Sequence, residues 1–316
     1  MFLARGIAVS FSVFVIVYCS LSAAVGCGWR GLRSLVQRQP SQRAADFLFG
    51  LRILPFAAAS LVTAAFAVPS FLLLEPRQIQ EPLGWIPLAL GACGAGLAIF
   101  GAWNSLVVLR RASRTIAAWS SGAQTISSGI SVPVLRITPV VPAMTATGIV
   151  RPRILLSGAA ESLLSRNELN AALNHEIAHV RRRDNFRKLV LRFVAFPGMR
   201  GLERAWLEAS EMAADDAAVF SADEALELAS ALIKLSRPNQ AAPEVDLTAA
   251  LVQSSGAVMN ARVERLVAWS SERHVPLQKY SAWYGLGAAV ATVALFAVTY
   301  SSLLANVHEA TEWLVR

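Results

Sequence analysis

The chain has 316 residues, 55% of them hydrophobic and 16% charged, with a mean hydropathy of +0.48. Soluble globular domains carry about 45–50% apolar and about 25% charged residues, so this balance excludes both an ordinary soluble enzyme and a disordered chain. The net charge is +8, and all but three of the 29 basic residues are arginine. Such a charge fits a nucleic-acid binder or a membrane protein with basic cytoplasmic loops, and the positions of the arginines decide between them.

Four apolar stretches of about 20 residues or more predict transmembrane helices, at about 6–25, 53–74, 85–109 and 280–305. Tyr18, Trp85, Trp103, Trp283 and Tyr300 fall near their ends, as do Pro55, Pro69 and Pro87. The first stretch has a competing reading as a cleaved leader, because Arg5 precedes it and Ala24-Val25-Gly26-Cys27 is a weak lipoprotein-type cleavage box. Its length and the basic residues that follow it favour a retained span. Cys19, Cys27 and Cys93 are odd in number and lie in or beside apolar runs, so neither a disulfide framework nor a cysteine metal site follows.

Arg30, Arg33, Arg38, Arg43 and Arg52 lie between the first two stretches, whereas the loop between the second and third holds only Arg77. Arg110, Arg111 and Arg114 follow the third, and Arg273 and Lys279 precede the fourth. The positive-inside rule then places 110–279 in the cytoplasm of a bacterium, with the N-terminus and the tail 306–316 outside the inner membrane. The predicted organisation is a membrane domain over 1–109, a cytoplasmic domain over 110–279, a fourth span over 280–305 and a short extracytoplasmic tail. Much of the charge is thereby topological, the lipid bilayer is its partner, and direct nucleic-acid binding is not expected. Small residues at Gly91, Gly94, Gly96 and Gly101, and at Gly285, Gly287 and Ala291, point to close packing of the third span on the fourth.

The cytoplasmic segment opens with extended stretches at 131–138 and 148–157. Pro152 confines the second to a sheet edge or a strand end, and an edge there could pair with an extended substrate. A helical pattern follows. Ser165 and Glu168 form a capping box, and Leu169, Leu173, Ile177 and Val180 recur at helical spacing, which predicts a helix over 166–183. Further helices are expected over 202–220, 224–235 and 257–270, with a loop at 239–243.

The first of these helices carries His175-Glu176-Ile177-Ala178-His179, which holds two of the chain's four histidines. Histidines four residues apart share one helix face and can bind a single Zn²⁺, with the glutamate between them placed as general base. A catalytic zinc needs a third protein ligand, and Glu211 and Glu208, both on a downstream helix, are the candidates. Asp215, one turn beyond Glu211, can hydrogen-bond the free ring nitrogen of a ligating histidine. His274 and His308 stand apart and are read as non-ligands.

The stretches around Arg151-Pro152-Arg153, His175 to Asp184, Glu211-x-x-Ala214-Asp215 and Arg262-Val263-Glu264-Arg265-Leu266 together resemble the BlaR/MecR family of membrane metallopeptidases. That resemblance implies a mainly α membrane protein: four transmembrane helices carrying a cytoplasmic α+β zincin domain of the glutamate-ligand type. It implies one Zn²⁺ held by His175, His179 and Glu211, with Glu176 catalytic and Asp215 and Asp184 as supporting partners. Asp184 recurs in the family pattern, with no role derivable for it beyond contacting a ligand or ending a helix. The function implied is a zinc endopeptidase in regulated proteolysis of a cytoplasmic protein, a winged-helix repressor by analogy with antirepressor members. The sequence departs from the receptors of that family in having no penicillin-binding sensor after the last span. Two other readings compete: a quality-control protease resembling the HtpX type, and a non-proteolytic membrane signalling or scaffold protein. Three spans before the motif and one after favour the BlaR/MecR arrangement over the first, and the intact ligand set argues against the second.

Overall fold

A computed structural model of the chain describes residues 2–75, 84–126, 132–138, 144–194, 196, 198–236, 249–250, 256–269 and 300–312. The chain divides into two compact units, one formed by Met1–Arg30, Ile53–Phe100 and Val275–Arg316, the other by Gly31–Arg52 and Gly101–His274.

Among the described residues, three helices are long and apolar enough to cross a membrane. They are α1 (Phe2–Gln37), the run from α2 (Ser41–Val62) through a π turn (Thr63–Ala67) into α3 (Val68–Leu74), and α4 (Trp85–Trp119). At 36 residues α1 extends well beyond a hydrocarbon core of about 30 Å. The apolar windows at 6–25, 53–74 and 85–109 therefore marked only the lipid-length parts of longer helices, and Pro55 lies inside α2 rather than near its start. Nearly all of the expected fourth span lies outside the described residues, although 300–312 are helical.

Within the first unit, Gly91 and Gly94 meet α1, while the expected packing on the fourth span falls on residues outside the described ones. A Cβ on Gly91 would lie 3.0 Å from the Ala8 backbone, and one on Gly94 would lie 2.9 Å from the Phe11 ring. Ser12 Oγ donates to the Pro87 carbonyl at 3.0 Å. Tyr300 Oη donates at 2.9 Å to the carbonyl of Ala65, which lies in the π turn.

The second unit contains a five-stranded sheet of order β1-β2-β4-β3-β5. Its strands are β1 (Gln124–Ile126), β2 (Val134–Ile137), β3 (Met144–Thr147), β4 (Arg153–Ser157) and β5 (Ala249–Ala250). Among the described strands only the β2–β4 pairing is parallel. β4 starts directly after Pro152, so the proline marks a strand end, where its missing N–H breaks no ladder. The edge alternative fails: β4 is flanked by β2 and β3 on its two sides, and no substrate strand can add to it. Near-continuous burial of Arg153-Ile154-Leu155-Leu156-Ser157 after its first residue fits that interior place.

Helices α5 (Gly158–Leu163), α6 (Arg166–Arg182), α7 (Asp184–Phe193), α8 (Arg200–Ala218), α9 (Ala222–Leu235) and α10 (Gly256–Val267) complete the unit. Its core joins Val134, Ile154 and Leu156 of the sheet to Leu173 and Ile177 of α6 and Leu228 and Leu232 of α9. The polar ends of α1 and α2 belong to this unit too. Arg52, fully buried, donates to Glu203 Oε1 at 3.0 Å and to the Val194 carbonyl at 2.7 Å. Phe49 packs on Trp206 with ring centroids 5.9 Å apart, and Arg187 lies over the Phe49 ring and pairs with Asp46 at 2.6 Å. Gly101 of α4 also allows a close approach, since a Cβ there would meet the Phe193 carbonyl oxygen.

The capping box at the head of α6 forms as expected: Ser165 Oγ accepts from the Glu168 N–H at 3.2 Å, and Glu168 accepts from the Ser165 N–H at 2.7 Å. The same carboxylate reaches α9, accepting from Ser230 at 2.5 Å and Lys234 at 2.7 Å. Burial pushes the Glu168 carboxyl up, but Lys234, Ser230 and the Ser165 N–H outweigh it and hold it near 2, against 4.5 when free. A depressed carboxylate contributes stability that is complete above its unfolded value and lost as pH falls through the folded one. Unfolding free energy should therefore drop between about pH 5 and about pH 2, and Glu168→Gln should flatten that limb in denaturant titrations. An acid slope unchanged by the substitution would show that the pairing contributes nothing.

Candidate metal centre

The site is built on α6, whose 17 residues place His175 and His179 one turn apart. Their rings are 0% and 3% exposed. The two Nε2 atoms stand 3.1 Å apart, and Glu211 of α8 sends Oε2 to 3.7 Å from His175 Nε2 and Oε1 to 3.6 Å from His179 Nε2. Tetrahedral zinc with bonds of about 2.0–2.1 Å needs ligand atoms about 3.3 Å apart, so this triangle and its two-imidazole, one-carboxylate donor set fit the ion. The three side chains could hold a metal, and Glu208, the rival third ligand, is not in the group.

Both histidines are turned by a carboxylate on the far side of the ring. His175 Nδ1 lies 2.9 Å from Asp215 Oδ1, and His179 Nδ1 lies 2.7 Å from Asp184 Oδ2. With each Nδ1 facing an aspartate carboxylate, the Nε2 atoms face a common point. Asp184 sits at the first position of α7, and the chain reverses between α6 and α7 with no linker beyond Arg183. That residue takes the left-handed conformation (φ 56°, ψ 39°) and its N–H caps α6 through the His179 and Val180 carbonyls. Only such a break returns Asp184 to the ring five residues before it, where Ser210 Oγ of α8 also donates to Oδ2 at 2.9 Å.

Glu176 is fully buried and faces the sheet. Its Oε2 accepts from the Ala146 N–H of β3 at 2.5 Å, and Oε1 has no hydrogen-bond partner among the described residues. Burial raises its affinity for protons; the neighbouring His179 and His175 act in the opposite sense without reversing the shift. His175 is pulled down by burial but pushed further up by Asp215 and Glu211, to about 9. Metal uptake must then displace a proton.

Arg262 of α10 is the member of this constellation that the sequence left unassigned. It is 1% exposed, donates to Asp215 Oδ2 from Nε at 2.8 Å and to Oδ1 from Nη2 at 2.7 Å, and sets Nη1 3.0 Å from Glu211 Oε2. One guanidinium thus braces a candidate ligand and the partner of another. Burial opposes ionisation of Glu211, but Arg262, His179 and His175 together hold it down to about 2. The same guanidinium also depresses Asp215 against the effect of its burial. In the sequence Arg262 stands within Arg262-Val263-Glu264-Arg265-Leu266, where nothing separates it from a solvated helix arginine.

Residues 145–270, which span every side chain of this site, match the family described as Peptidase family M48. The match marks this stretch as a metallopeptidase domain, and members of that family are zinc-dependent and membrane-associated. It supports the broad class and does not reach the BlaR/MecR family in particular. No curated protein matches the chain.

Replacing Arg262 by Met keeps much of the volume and leaves Glu211 and Asp215 without their cation. Zinc affinity should fall about 10–100-fold, as on losing a partner that orients a ligand. Competition with a chromophoric chelator measures this, and an unchanged dissociation constant would make Arg262 purely structural.

Proposed function

We propose that this protein is a membrane-embedded zinc endopeptidase that cuts a cytoplasmic protein in regulated proteolysis. The observation that carries the reading is the pairing of a zinc-compatible triangle with a buried glutamate whose second oxygen is uncommitted. His175, His179 and Glu211 would hold the ion, which when bound lowers the pKa of a coordinated water and polarises the scissile carbonyl. Glu176 takes the water's proton at Oε1 and passes it to the leaving amine, while the Ala146 N–H holds Oε2 still. The raised proton affinity of Glu176 suits both halves of that transfer. Asp184 and Asp215 keep the rings in the tautomer that leaves Nε2 unprotonated, and α6 and α8 exclude bulk water from their contacts.

Three membrane-length helices precede the site in sequence, and the arginine-rich loops favour a cytoplasmic catalytic domain in the bacterial inner membrane. That order of spans and motif supports the resemblance to antirepressor peptidases, with a winged-helix repressor as substrate and the bilayer as anchor. The membrane quality-control role shares the same chemistry, and the identity of the substrate separates the two. Cleavage of a repressor encoded beside this protein supports the first, and broad digestion of misfolded membrane proteins the second.

Glu176→Gln should retain stoichiometric zinc yet lose cleavage by about 10²–10⁴-fold. Turnover at the wild-type rate with metal bound would remove Glu176 from the mechanism. Reporter fusions joined after Trp119 and after Arg316 should report opposite faces of the membrane, and matching signals would overturn the topology.

A further inference from the structure

A cavity of about 400 Å³ opens beside the metal-facing triad, and His179 is part of its wall. Ile149, Val150, Val180 and Phe186 supply its apolar lining, and Arg183 and Asn185 its other polar groups. Val150 is 90% exposed and Phe186 48%, so apolar surface at the mouth is left uncovered by the described residues. The turn that forms one side depends on Gly148, which has φ +85° and where a Cβ would meet the Arg151 carbonyl oxygen at 2.6 Å.

Asn185 is the polar side chain of this wall that is left half-used. It is 8% exposed, and its Nδ2 donates to the Ala146 carbonyl at 3.1 Å and the Gly148 carbonyl at 3.5 Å. Two carbonyls on that side fix the orientation of the amide, since a flip would set oxygen against oxygen. Oδ1, on the other side, is buried without a hydrogen-bond partner among the described residues. A buried acceptor in that state is unfavourable until a donor reaches it. Ala146 fixes where that donor must arrive, because its carbonyl holds Asn185 while its N–H holds Glu176. The unused acceptor and the carboxylate proposed as general base are therefore registered to one residue of β3.

We propose that this cavity selects the substrate: it seats a bulky apolar side chain next to the scissile bond, while Asn185 Oδ1 accepts a hydrogen bond from an adjoining main-chain N–H of the same peptide. The assignment rests on the peptidase reading above and adds the substrate class to it. The preferred sequence is extended, carries Leu, Ile, Met or Phe at one fixed position beside the cut, and lacks Lys or Arg there because Arg183 lines the same space.

The test uses the full chain in detergent with zinc bound and a peptide mixture randomised around a central position, the cut sites being read by mass spectrometry. The expected result is one position strongly enriched in large apolar residues and depleted in basic ones. Val180→Trp fills the cavity and should cut kcat/KM on the best large-apolar peptide about 10–100-fold, shifting preference to Ala and Gly. Val150→Glu, at a 90% exposed position, should instead admit Lys or Arg at that position. Asn185→Leu should raise KM about 10-fold with kcat little changed and zinc content unaltered, a split that loss of the metal site does not produce. Cleavage with no preference at any position, or a profile untouched by both cavity substitutions, overturns the subsite and leaves the peptidase reading standing. Failure of the zinc-loaded protein to cut any peptide overturns both.

Discussion

A charge removed from water must be paired, and that constraint organises the catalytic unit. His175, Glu176, His179, Asp184, Asp215 and Arg262 are each buried to within 3% of full exclusion. Isolated, any one of them would be severely unfavourable there. Together with Glu211, all of them but Glu176 lie on one connected path of close polar contacts: Asp184 to His179, across to Glu211, then to Arg262, Asp215 and back to His175. The path crosses α6, α7, α8 and α10, so the pairing that makes the charges tolerable also fixes where four helices stand. Apolar packing against the sheet supplies the bulk of the core; the polar path supplies its register.

Local chemistry delivers each charge to its place. A capping box starts α6, and one left-handed residue ends it and opens α7, which is how His179 and Asp184 come to face each other within a single short stretch. Strand β3 contributes only backbone to the site, yet its Ala146 amide holds Glu176 and its carbonyl holds Asn185. The first part of α2 is bound into the same unit through Arg52, Phe49 and Asp46, which read in the sequence as no more than a basic loop and its flanks.

The parts legible in the sequence were those encoded by neighbours. Helix α6 is found within a residue of its expected end because Ser165, Glu168 and the leucine spacing all lie within it. The pair Glu211 and Asp215 was readable as one face of one helix. What escaped depends on distant partners or on backbone. Arg262 follows Asp215 by 47 residues, and only the packing of α10 on α8 distinguishes it from Arg265, which pairs with Asp216. Helix α7 and the contact made by Asp184 turn on the left-handed Arg183, a conformation that arginine does not advertise. Strand β3 escaped because Met144-Thr145-Ala146-Thr147 is buried on both faces and shows no alternation. The small residues Gly91 and Gly94 did announce close packing, but nothing in them named Ala8 and Phe11 as the surface they meet.

Arg262 lies on the last helix of the catalytic unit to be made, far behind the histidines in order of synthesis. While the ribosome is still short of that residue, Glu211 and Asp215 lack their guanidinium, and His175 lacks a settled partner. A nascent chain therefore carries His175, Glu211 and Asp215 before the guanidinium that faces both carboxylates has been made.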